Sequence, residues 1–427
     1  MTTSEPIKFI SPQPNAALIW WTQRFSGLFA AAMHRFRVVL EPGDRQRLRA
    51  LAQGRVLYLP NHPSHADGIT LFVLSAQARQ SFYYIAAYES FRGWMGRVMA
   101  LLGVYSIRRG VGDRPSIAET LRLMEQPDCK LVMFPEGGCS YQNDTVMPFR
   151  EGAVGLALRT LKKLALKSDP VPDFYLVPVS LKYQHRQAMD RAIGRSLRQL
   201  EQALGVPQRS PDFYWRLRTV AGTLLLRLEA EFGIQPQPMA ESPALASASN
   251  WNQRIDQLKN TMLLTYEGQV GLPPQPHLPM RERVYKVQAQ LEERYEALSA
   301  QGENGVKGVP DAIAEAEAEK LYTDTLRLLN FDAIYDHYVA ENPTQERFLD
   351  ILTKMEREVF RIETPRPKGL RLARIKVGAI INLKDYLDEY RHDRDATVQK
   401  LTQLVQHTVQ ANVLALDRNH HPPKLLF

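Results

Sequence analysis

The sequence predicts an α/β fold with a mainly parallel central sheet flanked by helices, followed by a large, mostly α-helical C-terminal region. Two observations lead to this prediction. Between residues 44 and 183, short apolar runs alternate with amphipathic stretches, which is typical of successive strand–helix units. Beyond about residue 184 the pattern becomes mostly helical. A chain of 427 residues also exceeds one ordinary domain, so we expect more than one.

The elements follow from the period of the apolar residues. In the α/β part we predict strands at residues 55–60, 82–87, 104–108, 130–134 and 174–182. Helices are predicted there at residues 65–77, 89–102, 115–126 and 151–166. The C-terminal region is predicted to form helices at residues 186–204, 212–232, 249–267, 281–300, 311–341, 344–361 and 370–412.

An amphipathic helix is predicted at residues 16–37, with bulky apolar side chains on one side. Trp20 and Trp21 stand at one end and arginines at the other, an arrangement typical of a helix in a membrane interface. The alternative is a helix packed on the protein's own core. The predicted helix at 89–102, which contains Trp94, leaves the same two alternatives open.

The formal net charge of +8 lies near the start of the chain. Residues 1–110 contain 13 Lys and Arg against 5 Asp and Glu, whereas residues 111–427 contain 41 of each. Such a surplus favours an anionic partner, such as a membrane surface or a phosphorylated substrate. No zinc-finger, RNP-like or basic-zipper pattern indicates a nucleic-acid partner.

Cysteine content and hydropathy indicate the compartment. The two cysteines, Cys129 and Cys139, favour a reducing environment over a disulfide framework. No run of uncharged residues reaches the roughly 18–20 apolar residues of a membrane span. The first residues lack the basic and apolar regions of a signal peptide. We therefore expect a cytoplasmic protein.

The strongest functional signal lies in residues 58–71, where an apolar run ends in a turn that carries His62 and Asp67. Strand-to-helix turns of this kind place side chains at the carboxyl edge of a sheet. A carboxylate that accepts one ring N–H of a histidine fixes its tautomer, and the other ring nitrogen can then remove a proton from a hydroxyl. His62 and Asp67 therefore predict a general-base dyad.

Two other interpretations of the turn stay open at this point. Asn61, Ser64 and Asp67 are residue types that cap helices, so the turn can be purely structural. His62, His65 and Asp67 also resemble part of a metal site. However, the sequence offers no second His/Cys cluster to complete the ligands, so we expect no metal.

A second motif closes the predicted strand at 130–134. Phe134, Pro135, Glu136 and Gly137 follow one another there. Glu136 would face the same crevice as the histidine of the first motif, since the carboxyl ends of parallel strands share one edge. The glycine would allow the backbone to approach a ligand closely.

Two weaker motifs lie at other strands. Gly103 and Ile107 precede the pair Arg108 and Arg109, and guanidinium groups at a strand end suit a phosphate clamp. Pro178 interrupts an apolar run that we predict to be a buried strand.

In this order and spacing the four motifs resemble those of the glycerolipid acyltransferase family, which includes glycerol-phosphate, 1-acylglycerol-3-phosphate and lysophospholipid acyltransferases. The resemblance covers about residues 35–185 and does not extend to the C-terminal half. In chain order, the matching residues are Asn61, His62, Ser64 and Asp67, then Gly103, Ile107 and Arg109, then Phe134, Pro135, Glu136 and Gly137, and finally Pro178.

The resemblance implies a reaction without a cofactor. His62, oriented by Asp67, would deprotonate a glycerol hydroxyl, and the alkoxide would attack the thioester of acyl-CoA or acyl carrier protein, the co-substrate. Arg109, Glu136 and Gly137 match positions associated with the acceptor. The acceptor expected first is 1-acyl-sn-glycerol 3-phosphate, giving phosphatidate, with glycerol 3-phosphate and other lysophospholipids as alternatives. A catalytically inactive membrane adaptor is the alternative from another class.

The chain departs from the common pattern of the family after Gly137. Thr-Arg usually follows there, whereas this chain has Gly138 and Cys139. One phosphate contact is thereby missing, and Arg108 and Arg150 are candidates to replace it. Cys139 as an acyl-carrying nucleophile is a further alternative.

Three regions are therefore expected. Residues 1–39 would form an N-terminal amphipathic membrane-associating helix, and 40–185 an acyltransferase catalytic domain. Residues 186–427 would form a helical C-terminal region whose role the sequence does not indicate. We expect the protein to lie peripherally on the cytoplasmic face of an anionic membrane. The sequence leaves the oligomeric state open.

Overall fold

The computed structural model describes residues 9–91, 93–235, 251–302, 309–331 and 334–418, and the α/β fold class predicted from the sequence is confirmed. At its centre lies one eight-stranded sheet. The strands are β1 (Phe36–Leu40), β2 (Arg55–Pro60), β3 (Tyr83–Ala87), β4 (Val104–Ile107), β5 (Lys130–Val132), β6 (Phe174–His185), β7 (Arg371–Val377) and β8 (Ile381–Asn382).

Helices cover both faces of this sheet and form most of the C-terminal region. They are α1 (Ala16–His34), α2 (Pro42–Ala50), α3 (Asp67–Ala78), α4 (Gly93–Leu101), α5 (Arg114–Glu125), α6 (Gly152–Ala165), α7 (Asp190–Leu204), α8 (Phe213–Glu231), α9 (Trp251–Val270), α10 (Met280–Gly302), α11 (Val309–Asn330), α12 (Tyr338–Glu341), α13 (Gln345–Phe360), α14 (Leu387–His392) and α15 (Arg394–Arg418). Short 3₁₀ turns occupy Tyr88–Ser90 and Leu383–Tyr386.

The strand order is β1-β7-β6-β2-β5-β3-β4, with β8 paired to β6. From β6 to β4 every neighbouring pair is parallel, whereas β7 and β8 run antiparallel to β6. The carboxyl ends of β2, β3, β4 and β5 therefore meet at one edge of the sheet, which is where parallel sheets of this kind place ligands.

Strand β2 is central because all six of its residues are buried. Leu57 and Leu59 face a core formed with α5, α6 and α15, and Val56 and Tyr58 face another formed with α2 and α3. A continuous apolar run is what a strand covered on both faces requires. This is why the observed bounds of β2 equal the predicted ones.

Two differences from the sequence prediction concern the other end of the sheet. The helix predicted at 370–412 is wrong in its first part, because residues 371–377 form β7 between β1 and β6. The first helix also ends at His34, and strand β1 begins at Phe36, within the range predicted as helix. The sheet thus crosses the boundary that the sequence suggested at residue 185.

Helix α15 is part of the core below the sheet. Leu401, Val405, Val409 and Val413 are fully buried and pack with residues of β2, α5 and α6. The family resemblance ends near residue 185, yet this helix of the C-terminal region fills one side of the sheet.

Replacing Leu401 with alanine should therefore lower the free energy of unfolding by about 2–5 kcal/mol, because it leaves a cavity in the core. Leu404→Ala on the same helix is the control. Since Leu404 is 41% exposed, its replacement should cost less than about 1 kcal/mol. Denaturant unfolding followed by tryptophan fluorescence measures both values. Equal losses would contradict the assignment of α15 to the core.

Candidate active site

A large cavity opens at the carboxyl edge of β2, β3, β4 and β5. Its volume is about 2340 Å³, enough for more than one substrate molecule. The lining includes His62 after β2, the residues after β4 and β5, and one side each of α1 and α4. Helices α10, α11 and α13 of the C-terminal region form the opposite wall. Residues from all three expected regions thus surround one cavity.

The structure brings His62 and Asp67 together as a hydrogen-bonded pair. His62 Nδ1 and Asp67 Oδ2 are 2.8 Å apart. The Asp67 side chain is fully buried, whereas that of His62 is 19% exposed and borders the cavity. With Nδ1 engaged, Nε2 is the ring nitrogen that can accept a proton, which is the geometry of a general-base dyad.

Asp67 is held by two further hydrogen bonds. The backbone N–H of Ser64 donates to Oδ2 at 2.8 Å, and Tyr183 Oη donates to Oδ1 at 2.7 Å. The same phenol group lies 2.7 Å from Thr70 Oγ1. Asp67 therefore both caps the turn and orients His62, so the two interpretations of the motif coexist. Sequence reasoning missed Tyr183, because nothing local marks its contact with a residue 116 positions away.

Glu136 lies beneath the His62 turn and is 3% exposed. Its Oε1 accepts a hydrogen bond from the backbone N–H of His62 at 2.9 Å, while Oε2 is buried without a hydrogen-bond partner. Burial raises the pKa of Glu136 to about 8, although that hydrogen bond and the charge of Arg281 act in the opposite direction. Glu136 positions the turn and does not border the cavity.

Arg109 reaches the cavity, but its charge is already compensated. Its Nη2 donates to Glu89 Oε1 at 3.1 Å, and its guanidinium carbon lies 4.4 Å from the ring centre of Tyr285 in α10. The backbone N–H of Arg108 donates to Asp113 Oδ2 at 2.7 Å. The Arg108 side chain borders the cavity with Nε 3.9 Å from Glu292.

The loop after β5 is covered by α10. Tyr285 Oη donates to the carbonyl oxygen of Gly137 at 3.0 Å, and Arg281 Nη2 donates to that of Cys139 at 3.3 Å. A Cβ on Gly138 would lie only 2.4 Å from Tyr285 Oη and 2.8 Å from Arg281 Nη1. A larger residue at this position would require Tyr285 and Arg281 of the C-terminal region to shift.

The structure places the other sequence-predicted residues at different distances from the cavity. Ile107, Phe134 and Pro135 border it with Gly137, and the ring of Phe134 stacks on that of His62 with centres 4.2 Å apart. Ser64 contributes its backbone N–H, which donates to Asp67. Three other residues of the motifs lie away from the cavity and have structural roles: Asn61, Gly103 and Pro178.

Those three residues have clear structural surroundings. Asn61 exchanges two hydrogen bonds with the backbone of Leu181, of 2.7 and 3.0 Å, and so ties the His62 turn to β6. Gly103 has φ +86°, a conformation that favours glycine, in the turn before β4. Pro178 pairs with Leu59 inside the sheet. None of the three borders the cavity in the described structure.

Cys139 borders the cavity, but burial raises the pKa of its thiol well above the usual value. Little thiolate is therefore present near neutral pH, which disfavours Cys139 as a nucleophile. Burial, together with the charge of Arg357, lowers the pKa of His65 to about 3, although the ring opens on the cavity. In the described part of the chain, no group of three His, Cys, Asp or Glu side chains could hold a metal ion.

Apolar side chains surround the other side of the cavity and continue onto the surface. We call this set the apolar rim: Trp21, Phe25 and Phe29 of α1 with Trp94 and Met95 of α4. All five are between 46% and 72% exposed. Only Ile19, Ser26 and Ala30 of α1 are buried. The aromatic face of α1 therefore lies outside the protein's own core.

The raised pKa of Glu136 predicts a change of stability with pH. A carboxyl with a higher pKa in the folded than in the unfolded state stabilises the fold at low pH, and this contribution is lost as pH rises through the folded value. The free energy of unfolding of the wild type should therefore fall between about pH 5 and pH 8, relative to Glu136→Gln. Parallel curves for the two proteins, measured by denaturant unfolding, would count against a raised pKa.

Comparison with known proteins agrees with the site. Residues 42–182 match the family model described as Acyltransferase. The match covers β2 to β5 and most of β6, and with them the His62 turn and the loop after β5. No curated protein matches the chain. Among the described residues, no helix is long and apolar enough to span a membrane. Residues 42–182 therefore form an acyltransferase domain, of the family that includes the glycerolipid acyltransferases.

Proposed function

We propose that the protein transfers a fatty acyl chain from acyl-CoA or acyl carrier protein to a hydroxyl of a glycerol-phosphate-type acceptor, 1-acyl-sn-glycerol 3-phosphate being the first candidate. The observation that carries the proposal is the His62–Asp67 pair facing a cavity with arginines on one side and apolar side chains on the other. Such an acceptor carries a phosphate monoester and an acyl chain. Arginines suit its phosphate, and apolar side chains suit its acyl chain.

The dyad supplies the base. His62 Nε2 accepts the proton of the acceptor hydroxyl, and buried Asp67 stabilises the imidazolium that forms. The hydroxyl oxygen attacks the thioester carbonyl carbon, a C–O bond forms, and the C–S bond breaks. The proton on His62 passes to the departing thiolate. The step is balanced with acyl donor and acceptor alone, so no redox partner and no cofactor is required.

Phosphate recognition is proposed for the arginine side of the cavity. Arg108 and Arg109 lie within the matched domain, and guanidinium groups bind phosphate through paired N–H donors. The contact of Arg109 with Glu89 holds its side chain in the lining and leaves other N–H groups available. An acceptor phosphate at this side would bring its glycerol hydroxyl towards His62.

The apolar rim is proposed to contact the surface of an anionic membrane. The rim is exposed, borders the cavity and consists largely of aromatic side chains, which are frequent at membrane interfaces. Arg24 and Arg97, on the same two helices, are exposed and suit acidic headgroups. Acyl chains could then enter the cavity from the membrane without crossing water.

Removal of the base tests the reaction. His62→Ala should lower turnover by roughly 10² to 10⁴-fold, and Asp67→Asn should cause much of the same loss because it disturbs the tautomer of His62. Thiol release from acyl-CoA or acyl carrier protein, with a panel of acceptors, measures the rate. His392→Ala, at an exposed histidine outside the cavity lining, is the control and should be fully active.

The outcome also separates the alternatives. Glycerol 3-phosphate or another lysophospholipid as the best acceptor would change the substrate and keep the reaction. Thiol release without an acceptor would indicate a thioesterase. A wild-type protein that releases no thiol from either donor would favour the adaptor interpretation and refute the proposed transfer.

The membrane contact is tested by replacing two tryptophans of α1 and α4. The double variant Trp21→Ser/Trp94→Ser should bind vesicles containing acidic phospholipid at least about tenfold more weakly, because each buried aromatic side chain contributes roughly 1.5–3 kcal/mol. Leu166→Ser is the control, since Leu166 is 80% exposed but does not border the cavity. Vesicle cosedimentation measures binding. Equal binding by the double variant and the wild type would exclude this rim as the membrane contact.

A further inference from the structure

Arg357, near the end of α13, is a buried arginine with unusual surroundings. The residue is 7% exposed and borders the cavity. Its Nε donates to the carbonyl oxygen of Glu363 at 2.9 Å, and its guanidinium carbon lies 4.0 Å from the ring centre of Tyr141. Neither contact carries a negative charge. Within the described residues, no carboxylate forms an ion pair with it.

Five other buried arginines of the helical region differ from Arg357 in this respect, since each of the five pairs with a carboxylate. The pairs are Arg216 with Glu201, Arg254 with Glu229, Arg283 with Glu267, Arg327 with Glu231 and Glu358, and Arg347 with Asp144. A buried charge without an ion-pair partner is unfavourable, and burial lowers the pKa of Arg357, although the charges of Glu363 and Glu358 act in the opposite direction. Because Arg357 borders the cavity, an anion bound there could form the ion pair that no described carboxylate forms.

The position of Arg357 connects it with the catalytic loops. Tyr141, on which it stacks, contacts the ring of His65 edge-on, with ring centres 4.9 Å apart. The charge of Arg357 also acts on His65 and on Cys139, because it lowers the pKa of the histidine and opposes the rise at the thiol. Arg357 thus faces the turn that carries His62 and the loop that follows β5.

The helical region also fills the space beside that loop. The side chains of Arg281 and Tyr285 occupy the volume that a larger residue than Gly138 would need. The helical region thus places the cationic side chains of Arg281 and Arg357 in the lining of the cavity.

We propose that Arg357 binds a phosphate group of a substrate, so that the C-terminal helical region completes the substrate site of the acyltransferase domain. The ligand chemistry is a phosphate held by a guanidinium group in a partly dehydrated cavity. The acceptor headgroup and the phosphates of coenzyme A are the two sources of this chemistry. The proposal rests on the proposed acyl transfer for its substrates.

The experiment compares Arg357→Gln and Arg357→Lys with the wild type in the full chain. Loss of a charged hydrogen bond should raise KM roughly 10- to 100-fold for the phosphate-bearing substrate, and lysine should restore part of it. For the acceptor, KM is compared between 1-acylglycerol 3-phosphate and monoacylglycerol, which lacks the phosphate. For the donor, KM is compared between acyl-CoA and acyl-pantetheine, which lacks the phosphates of coenzyme A. Arg198→Gln, at an exposed arginine of α7, is the control for removing one positive charge.

A rise in KM that is confined to the phosphate-bearing member of either pair supports the proposal. The pair that shows it identifies whether Arg357 binds the acceptor headgroup or coenzyme A. Equal changes for both members of each pair, or unchanged KM values, would overturn it. Calorimetric binding of glycerol 3-phosphate and of coenzyme A needs no turnover, so it tests Arg357 even if acyl transfer is not detected. There, weaker binding by Arg357→Gln supports the site, and equal binding of both probes by variant and wild type overturns it.

Thermal unfolding separates a substrate-binding role from a structural one. Without a carboxylate partner, Arg357 should be replaceable by glutamine with little loss of Tm, whereas Arg327→Gln should lower Tm because it leaves Glu231 and Glu358 without their partner. A large loss of Tm in Arg357→Gln, with unchanged binding of both probes by the same variant at a temperature where it is folded, would assign Arg357 to the fold and reject the proposal.

Discussion

The buried carboxylate of Asp67 is the point on which the site depends. It accepts hydrogen bonds from the turn after β2, from the phenol group of Tyr183 on β6 and from Nδ1 of the His62 ring. A buried charge is tolerated when donors surround it in this way. Because the donors come from different segments, the position of His62 is fixed by the sheet as a whole. A short motif alone would not hold the ring, since each of these donors must lie within hydrogen-bond distance.

Much of the α/β part could be predicted from the sequence because its signals are local. The run at residues 55–60 is apolar throughout, and a strand covered on both faces requires this. The residues after it include a histidine and a carboxylate close enough in sequence to meet within one turn. The His62–Asp67 contact could therefore be predicted as well. The general class of reaction followed from four such local motifs.

The missed features depend on residues far apart in the chain. Strand β7 alternates buried Ala373, Ile375 and Val377 with charged neighbours, a period of two that marks a half-buried strand. We assigned it to a helix because the long helical pattern that follows dominates the sequence. Arg357 has no such signal. The sequence contains many arginines on helices, and only the fold shows that this one is buried at the cavity without an ion pair to a carboxylate among the described residues.

The place of β7 has a consequence for how the protein is made. Strand β1 joins the sheet only through β7, whose residues are synthesised more than 330 positions later. Until the ribosome has released that segment, β1 lacks its neighbour and β6 has an open edge. Such an edge can pair with other chains, and contacts of this sequence separation form slowly. The newly made chain therefore exposes an unpaired strand edge until its last third emerges.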